Sequence, residues 1–289
     1  MSADPRLEAL VGRLRAAGCV FAEEEAGLLL AAAAERHPSG DGTGATEATE
    51  AVATARAAEL GAMTSARVAG EPLETVLGWV AFAGRRIVVR SGVFVPRRRT
   101  ERLASAAVAE ARAVAGPLVV DLCCGSGAIG AILADEVPGA VVHAADVDPV
   151  AVACAAVNLA PRGAAVHRGD LLDALPGDLR GRIDVLVANV PYVPRAGLAL
   201  MPPEARLHEP AATHDGGIDG LDVLRRVARG SGTWLAPGGL LLFEVAVAQL
   251  DAALDALAAA GWEARIAPTD APGGDADDGT RVVTGRRPR

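Results

Sequence analysis

Asn189-Val190-Pro191-Tyr192 closes "IDVLVA", an apolar run that reads as a β-strand. A carboxamide at such a strand end can accept and donate hydrogen bonds, and the chain's only tyrosine offers a flat face just after it. No strong general base stands beside them. A second constellation comes earlier. "VVDLCCGSGAIG", Val119 to Gly130, passes from an apolar strand through Asp121 into a glycine loop. Gly125, Gly127 and Gly130 spell G-x-G-x-x-G, and Asp146 follows where a ribose-binding acid is expected.

The loop differs from a dinucleotide site in one respect. There the first glycine ends the strand directly, so that a pyrophosphate reaches the helix N-terminus. Here Asp121 sits at the strand end, and Leu122, Cys123 and Cys124 separate it from Gly125. A carboxylate facing a pyrophosphate is electrostatically poor, whereas it suits a cationic ligand. S-adenosylmethionine carries both a sulfonium and an ammonium group. Cys123, Cys124, Gly125, Ser126 and Gly127 are therefore expected to form its loop, with Asp121 at the base. Asp146 ends "AVVHAAD" and can accept from both ribose hydroxyls, because Asp148 before Pro149 already serves as the next helix cap. Asp170 and Leu171, in "HRGDLLDAL", are candidates for the adenine amino group and ring.

The elements that must hold these residues alternate strand and helix from Pro117 onward. Strand candidates are "LVVDL", "AVVHAAD", "AVHRGD", "IDVLVAN" and "GLLLFEV", with "DPVAVACAAVNLA" and "LDVLRRVARGSGTWL" among the intervening helices. This predicts βαβ units and a mostly parallel sheet. Two late runs, "WEARIAP" and "TRVVTGR", flank an Asp- and Gly-rich loop with no helix between them, which predicts an antiparallel edge. Upstream, residues 5–36 and 51–63 read as helical, and 37–50 as a polar loop. Gly84 and Ser91-Gly92 punctuate short β-branched runs as in a hairpin, and a helix is expected over 100–114. The domain boundary is expected near 70–85. Asn189 would then lie in the crevice at the carboxyl ends of the strands, beside the methyl donor and in contact with it, with Tyr192 on the loop above.

Bulk properties narrow the classes. The 289 residues are 51% hydrophobic and only 3% aromatic, with a net charge of -8. Such a balance disfavours broad nucleic-acid binding. Four cysteines without metal-ligand spacing predict cytosolic thiols and no metal. The acidic start "MSADPRLEAL" has no secretory apolar core, so a cytoplasmic protein is expected.

With these motifs in place, the chain resembles the N5-glutamine methyltransferases that modify peptide-chain release factors, in the form of an actinobacterial-type relative. "NVPY" stands where the family has Asn-Pro-Pro-Tyr, and "DLCCGSGAIG" resembles its donor loop. "EPLETVLGWVAF", "FVPRRRTERL", "EARLHEP" and "GGLLLFEV" match in place, so the similarity spans nearly the whole chain. The resemblance implies an α/β fold: a Rossmann-like class I methyltransferase sheet over 101–289, a linker with a β-hairpin over 76–100, and a helical substrate-docking domain over 1–75. It implies S-adenosylmethionine as donor and a glutamine-bearing protein as partner, expected to be a release factor. Asn189, Val190, Pro191 and Tyr192 would be the catalytic segment. The chemistry agrees, because an amide nitrogen is a poor nucleophile. Asn189 and the Val190 carbonyl can accept its two N–H groups, and Tyr192 can stack on the amide plane.

Departures from the family pattern accompany the resemblance. Val190 replaces the first proline, restoring an N–H and freeing φ. "PRRRTE" places Arg97, Arg98 and Arg99 in a row, either as a solvated basic turn or as a patch for an acidic partner or ribosomal RNA. "ALMPPEARLHEP" is expected to cover the pocket, with His208 a packing residue rather than a base. Alternatives are methylation of an exocyclic base amine of RNA or DNA, an NAD-dependent oxidoreductase, and a binding module without turnover.

Overall fold

The computed structural model describes residues 5–38, 46–268 and 279–288. Its helices in chain order are α1 (Pro5–Ala16), α2 (Ala22–Arg36), α3 (Thr46–Val68), α4 (Leu73–Leu77), α5 (Glu101–Arg112), α6 (Ala128–Glu136), α7 (Pro149–Leu159), α8 (Pro203–His208), α9 (Asp222–Gly230) and α10 (Leu250–Ala259). The strands are β1 (Trp79–Phe82), β2 (Arg85–Val88), β3 (Leu118–Leu122), β4 (Val141–Asp146), β5 (Ala165–Arg168), β6 (Ile183–Ala188), β7 (Leu235–Ala246), β8 (Glu263–Ile266) and β9 (Thr280–Arg286). They form two compact units, Met1–Trp79 with Pro203–His208, and Val80–Pro202 with Glu209–Arg289.

The first unit packs α1 to α4 around Leu10, Leu14, Leu29, Met63 and Leu77. The helical run expected over 5–36 breaks once. Gly18 takes φ +88°, and the Cys19 N–H returns to the Leu14 carbonyl, which ends α1. Arg36 donates to the Val76 and Leu77 carbonyls, satisfying the C-terminal end of α4. The loop expected over 37–50 is partly helix, since α3 already begins at Thr46. No Gly or Pro stands between Thr46 and Glu50, so nothing in this Ala- and Glu-rich stretch stops the helix from extending upstream.

The second unit is a seven-stranded sheet in the order β5-β4-β3-β6-β7-β9-β8. Strands β3 to β7 are parallel, and β9 runs antiparallel between β7 and β8. The expected α/β sheet with an antiparallel edge is therefore present, with β9 inserted inside β8. The Asp- and Gly-rich loop before β9 lies almost wholly outside the described residues. Alternation along β3 sends Val119 to one buried cluster, with α5, α6 and α7, and Leu118, Val120 and Leu122 to the other, with α9 and α10. Asp121 thus falls on the α6 face. The chain reverses its direction across the sheet between β3 and β6, and Leu122 pairs with Ala188 there. This is the switch point at which an open α/β sheet leaves a crevice.

Two elements differ from expectation. Strand β7 starts at Leu235, inside the helix expected over 221–235, because its register against β6 shifts between Ile183 and Val185. Pro237-Gly238-Gly239 reads as a turn but lies within this irregular strand, where a Cβ on Gly239 would sit 2.8 Å from the Ile183 carbonyl oxygen. The hairpin β1–β2 turns through Ala83 at φ +46° and Gly84 at φ +72°, the two positive angles that a two-residue hairpin turn needs.

Candidate active site

Neighbouring strands β3 and β6 deliver the two constellations side by side. The glycine loop leaves β3 after Leu122, and Asn189 follows Ala188, its partner in register. Asn189 Nδ2 points at Thr100 Oγ1, 3.5 Å away at the start of α5, which turns the side-chain carbonyl the other way. Val190 is buried in the β6 core, so its side chain anchors the tip even though its φ is free.

Tyr192 is held at both ends. Its hydroxyl donates to Glu244 Oε1 at 3.1 Å and accepts from Arg99 Nε at 3.2 Å. Its backbone carbonyl accepts from Gln249 Nε2 at 2.8 Å, and the same amide donates to the Asp219 carbonyl at 2.8 Å. Burial, and secondly the Glu244 charge, push the phenol up to about 12, so it carries its proton at neutral pH. Beyond it, Val193 and Arg195 donate backbone N–H groups to His214 and Gly217 carbonyls. The loop after β6 is thereby fastened to residues 214–220.

The glycine loop is tightly wound. Cys123, Gly125 and Gly127 all have positive φ, at +57°, +54° and +77°. For Cys123 this conformation costs about 1–2 kcal/mol, strain of the kind that collects at ligand sites. Leu171, after β5, shares it at φ +53°. A Cβ on Gly127 would press 2.9 Å from Leu159, whereas one on Gly125 would meet open space. A Cβ on Gly130 would come within 3.2 Å of Asp121 Oδ2, so this glycine lets α6 approach β3.

Three carboxylates stand at the ends of adjacent strands. Asp121 is buried and accepts from the Gly130 N–H at 2.8 Å. Asp146 receives one backbone N–H on each oxygen, from Gly125 at 2.9 Å and Asp148 at 3.0 Å, which leaves each oxygen a further lone pair. Asp170 is more exposed and pairs with Arg226 at 2.7 Å. All three, with burial as the larger cause, hold the Cys123 thiol well above the usual range. Burial does the same for Cys124. Both thiols are protonated, so neither is a nucleophile.

Burial raises Asp121 from 3.8 to about 7, and the Asp146 charge adds to the shift against the pull of the Gly130 N–H. A carboxyl raised on folding stabilises the fold below its unfolded value and loses that contribution as pH climbs through about 7. The full span amounts to roughly 4 kcal/mol. Asp121→Asn keeps an acceptor for Gly130 and removes the ionisation. In urea unfolding between about pH 5 and 8, the variant is expected to gain on the wild type as pH rises. A constant gap would show that Asp121 does not titrate in this interval.

Sequence reasoning missed several residues. Asn158 on α7 accepts from the Val88 N–H and donates to the carbonyls of Val88 and Ser126, joining the hairpin to the glycine loop. Replacing it with leucine removes all three contacts, leaving the buried Ser126 carbonyl without this donor, and is expected to cost about 2–3 kcal/mol in unfolding free energy. Glu209, of "HEP", accepts from the Val95 N–H and from Arg97 at 2.6 Å, while Arg97 also lies over the Phe94 ring. Its other oxygen lies 2.9 Å from His214 Nε2. Of the three arginines, then, Arg97 and Arg99 turn inward to Glu209 and Tyr192, and Arg98 alone is exposed. Two members of the run are thus engaged by acids of the fold while keeping part of their surface in solvent. The segment expected as a cover divides as well: 203–208 belongs to the first unit and Glu209 to the second. His208 lies beside Gly70 within the first unit. A signal for Glu244 was visible, since an acid inside "LLLFEVA" must find a partner.

Comparison with known proteins bears on this arrangement. Residues 86–201 match the family of the methyltransferase small domain. The release factor glutamine methyltransferase of Cereibacter sphaeroides is 36% identical over 292 residues, spanning 100% of this chain and 99% of that protein. The Streptomyces coelicolor protein of the same name is 40% identical over 63% of this chain and 66% of its own length. A 4-amino-L-phenylalanine/4-methylamino-L-phenylalanine methyltransferase of Streptomyces pristinaespiralis is 38% identical over 62% of each. The last two alignments thus span less than two thirds of those relatives. Among solved structures, the 16S rRNA N2 G1207 methyltransferase of T. thermophilus, in complex with AdoMet and guanosine, has a TM-score of 0.50 at 18% identity. That match covers 72% of this chain and 49% of that one. Its likeness extends to the fold.

Proposed function

The chain belongs to the release factor glutamine methyltransferase family, and from that premise we propose that it moves a methyl group from S-adenosylmethionine to the side-chain amide nitrogen of a glutamine in a peptide-chain release factor. The observation that carries the reading is the pairing of Leu122 with Ala188, which brings the glycine loop and Asn189 to one point of the crevice. The donor set fits the proposed group. Open space over Gly125, spare lone pairs on Asp146 and a buried carboxyl at Asp121 suit a ribose diol joined to a cationic chain. Cys123 to Gly127, Asp121 and Asp146 would hold it, with Asp170 and Leu171 at the adenine. Once bound, it supplies an electrophilic methyl carbon.

The protein's own task is to orient the acceptor. Asn189 takes one amide N–H on its carbonyl oxygen, and the Val190 carbonyl takes the other. Both acceptors favour positive charge on nitrogen as the new bond forms, and the proton passes to water. Pro191 shapes the turn. Tyr192 limits the amide plane through its ring, since its hydroxyl is already committed to Glu244 and Arg99. The N-terminal helices, about residues 1–75, dock the protein substrate in this reading. Among the described residues no helix is long and apolar enough to cross a membrane.

An arylamine is the second acceptor to test, because one relative is named for 4-amino-L-phenylalanine. Isotope-labelled donor is incubated with the protein and a release factor, and the product is mapped by tandem mass spectrometry. One added methyl on a single glutamine side chain is expected. Label in RNA, in 4-amino-L-phenylalanine alone, or in no acceptor would contradict the proposal.

A further inference from the structure

We propose that Arg99 and Glu244 are positioning residues that fix the Tyr192 ring in the plane the acceptor amide requires, an assignment that rests on reading the β6 tip as the acceptor site. Glu244 lies on β7, directly beside β6, where Phe243 pairs with Ala188. It is 1% exposed, so its charge needs compensation from within the fold. Arg99 supplies part of it at 3.5 Å and also donates to the Tyr192 hydroxyl at 3.2 Å. The hydroxyl in turn donates to Glu244 at 3.1 Å, which closes a triangle.

The triangle has a chemical consequence. A phenol has one proton and two lone pairs. Here the proton is directed at Glu244 and one lone pair is taken by Arg99. The hydroxyl is therefore removed from proton exchange with a substrate, and its work is to hold the ring. Gln249 fixes the backbone end of the same residue. A ring held at both ends cannot tilt away from a planar group lying on its face. Where Val190 leaves the turn freer in φ than a proline would, this mount supplies the rigidity by side-chain contacts.

Steady-state kinetics on the full-length protein with the release factor tests the assignment, alongside donor titration. Arg99→Ala and Tyr192→Phe are each expected to lower kcat by about 10- to 100-fold, with donor affinity and KM within about twofold. Glu244→Gln keeps an acceptor for the hydroxyl and is expected to retain more activity than Glu244→Leu. The double variant Arg99→Ala/Tyr192→Phe should lose no more than the worse single variant, because both act through one hydroxyl. Losses that multiply, or an Arg99→Ala effect confined to KM, would overturn the assignment. If the single variants leave kcat unchanged while Asn189→Ala is inactive, the mount is wrong and the acceptor site stands. Full activity in Asn189→Ala would overturn both.

Discussion

Asn189→Ala is expected to lower kcat by on the order of 10³-fold or more, and to leave donor affinity within about twofold. The asymmetry follows from where the side chain is spent. A glutamine amide gives up its lone pair to its carbonyl and attacks poorly unless its N–H groups are drawn toward acceptors. Asn189 stands at the end of β6 with its nitrogen turned to Thr100, so its carbonyl is available for that task. The donor loop, by contrast, is held by Asp146, Asn158 and the turn of α6, none of which needs Asn189. Single-turnover methylation and calorimetric donor titration separate the two effects. Equal losses in both would mean that Asn189 chiefly shapes the donor pocket.

Gly220→Ala is expected to have the next largest effect, although Gly220 touches no reacting group. Its φ is +83°, and an added Cβ would lie 2.2 Å from Gln249 Nε2 and 2.3 Å from the Tyr192 carbonyl oxygen. Neither neighbour can yield without releasing the hydrogen bond that fixes Tyr192. The expected cost is about 3–4 kcal/mol in urea unfolding, with kcat/KM down by on the order of 10²-fold. Gly163→Ala is the control. Its φ is +71°, but nothing lies within 4 Å of the new methyl, so it is expected to cost about 1 kcal/mol and no activity. Like effects in the two variants would show that backbone strain alone, and not the contact with Tyr192, governs the loss.

The fold was legible where local pattern and tertiary role agree. "LVVDL" and "IDVLVAN" are short apolar runs that end abruptly, so their pattern alone puts Asp121 and Asn189 at strand ends, within one residue of where β3 and β6 stop. Strand β9 matches its sequence run residue for residue, Thr280 to Arg286 pairing along its whole length with β7 and Val283 to Arg286 also with β8. The start of β7 was hidden because a bulge uses glycines as a turn would. What sequence could not disclose was partnership at a distance. Arg99 meets Tyr192 across 93 positions, and Arg97 meets Glu209 across 112. A basic triplet looks solvated until the buried acids that draw two of its members inward are seen. Asn158 was invisible for the same reason, being one polar residue in an apolar helix. The left-handed Cys123 was invisible too, because no local rule marks a cysteine for positive φ.

The most direct test is a crystal structure of the protein with S-adenosylmethionine. Reacting atoms sit about 3–3.5 Å apart and the amide lies one hydrogen bond from its acceptor, so the donor methyl is expected within roughly 6 Å of Asn189 Oδ1, on the side faced by the Tyr192 ring. A methyl carbon turned away from the β6 tip, with no room for an amide between it and Asn189, would contradict the proposed acceptor site.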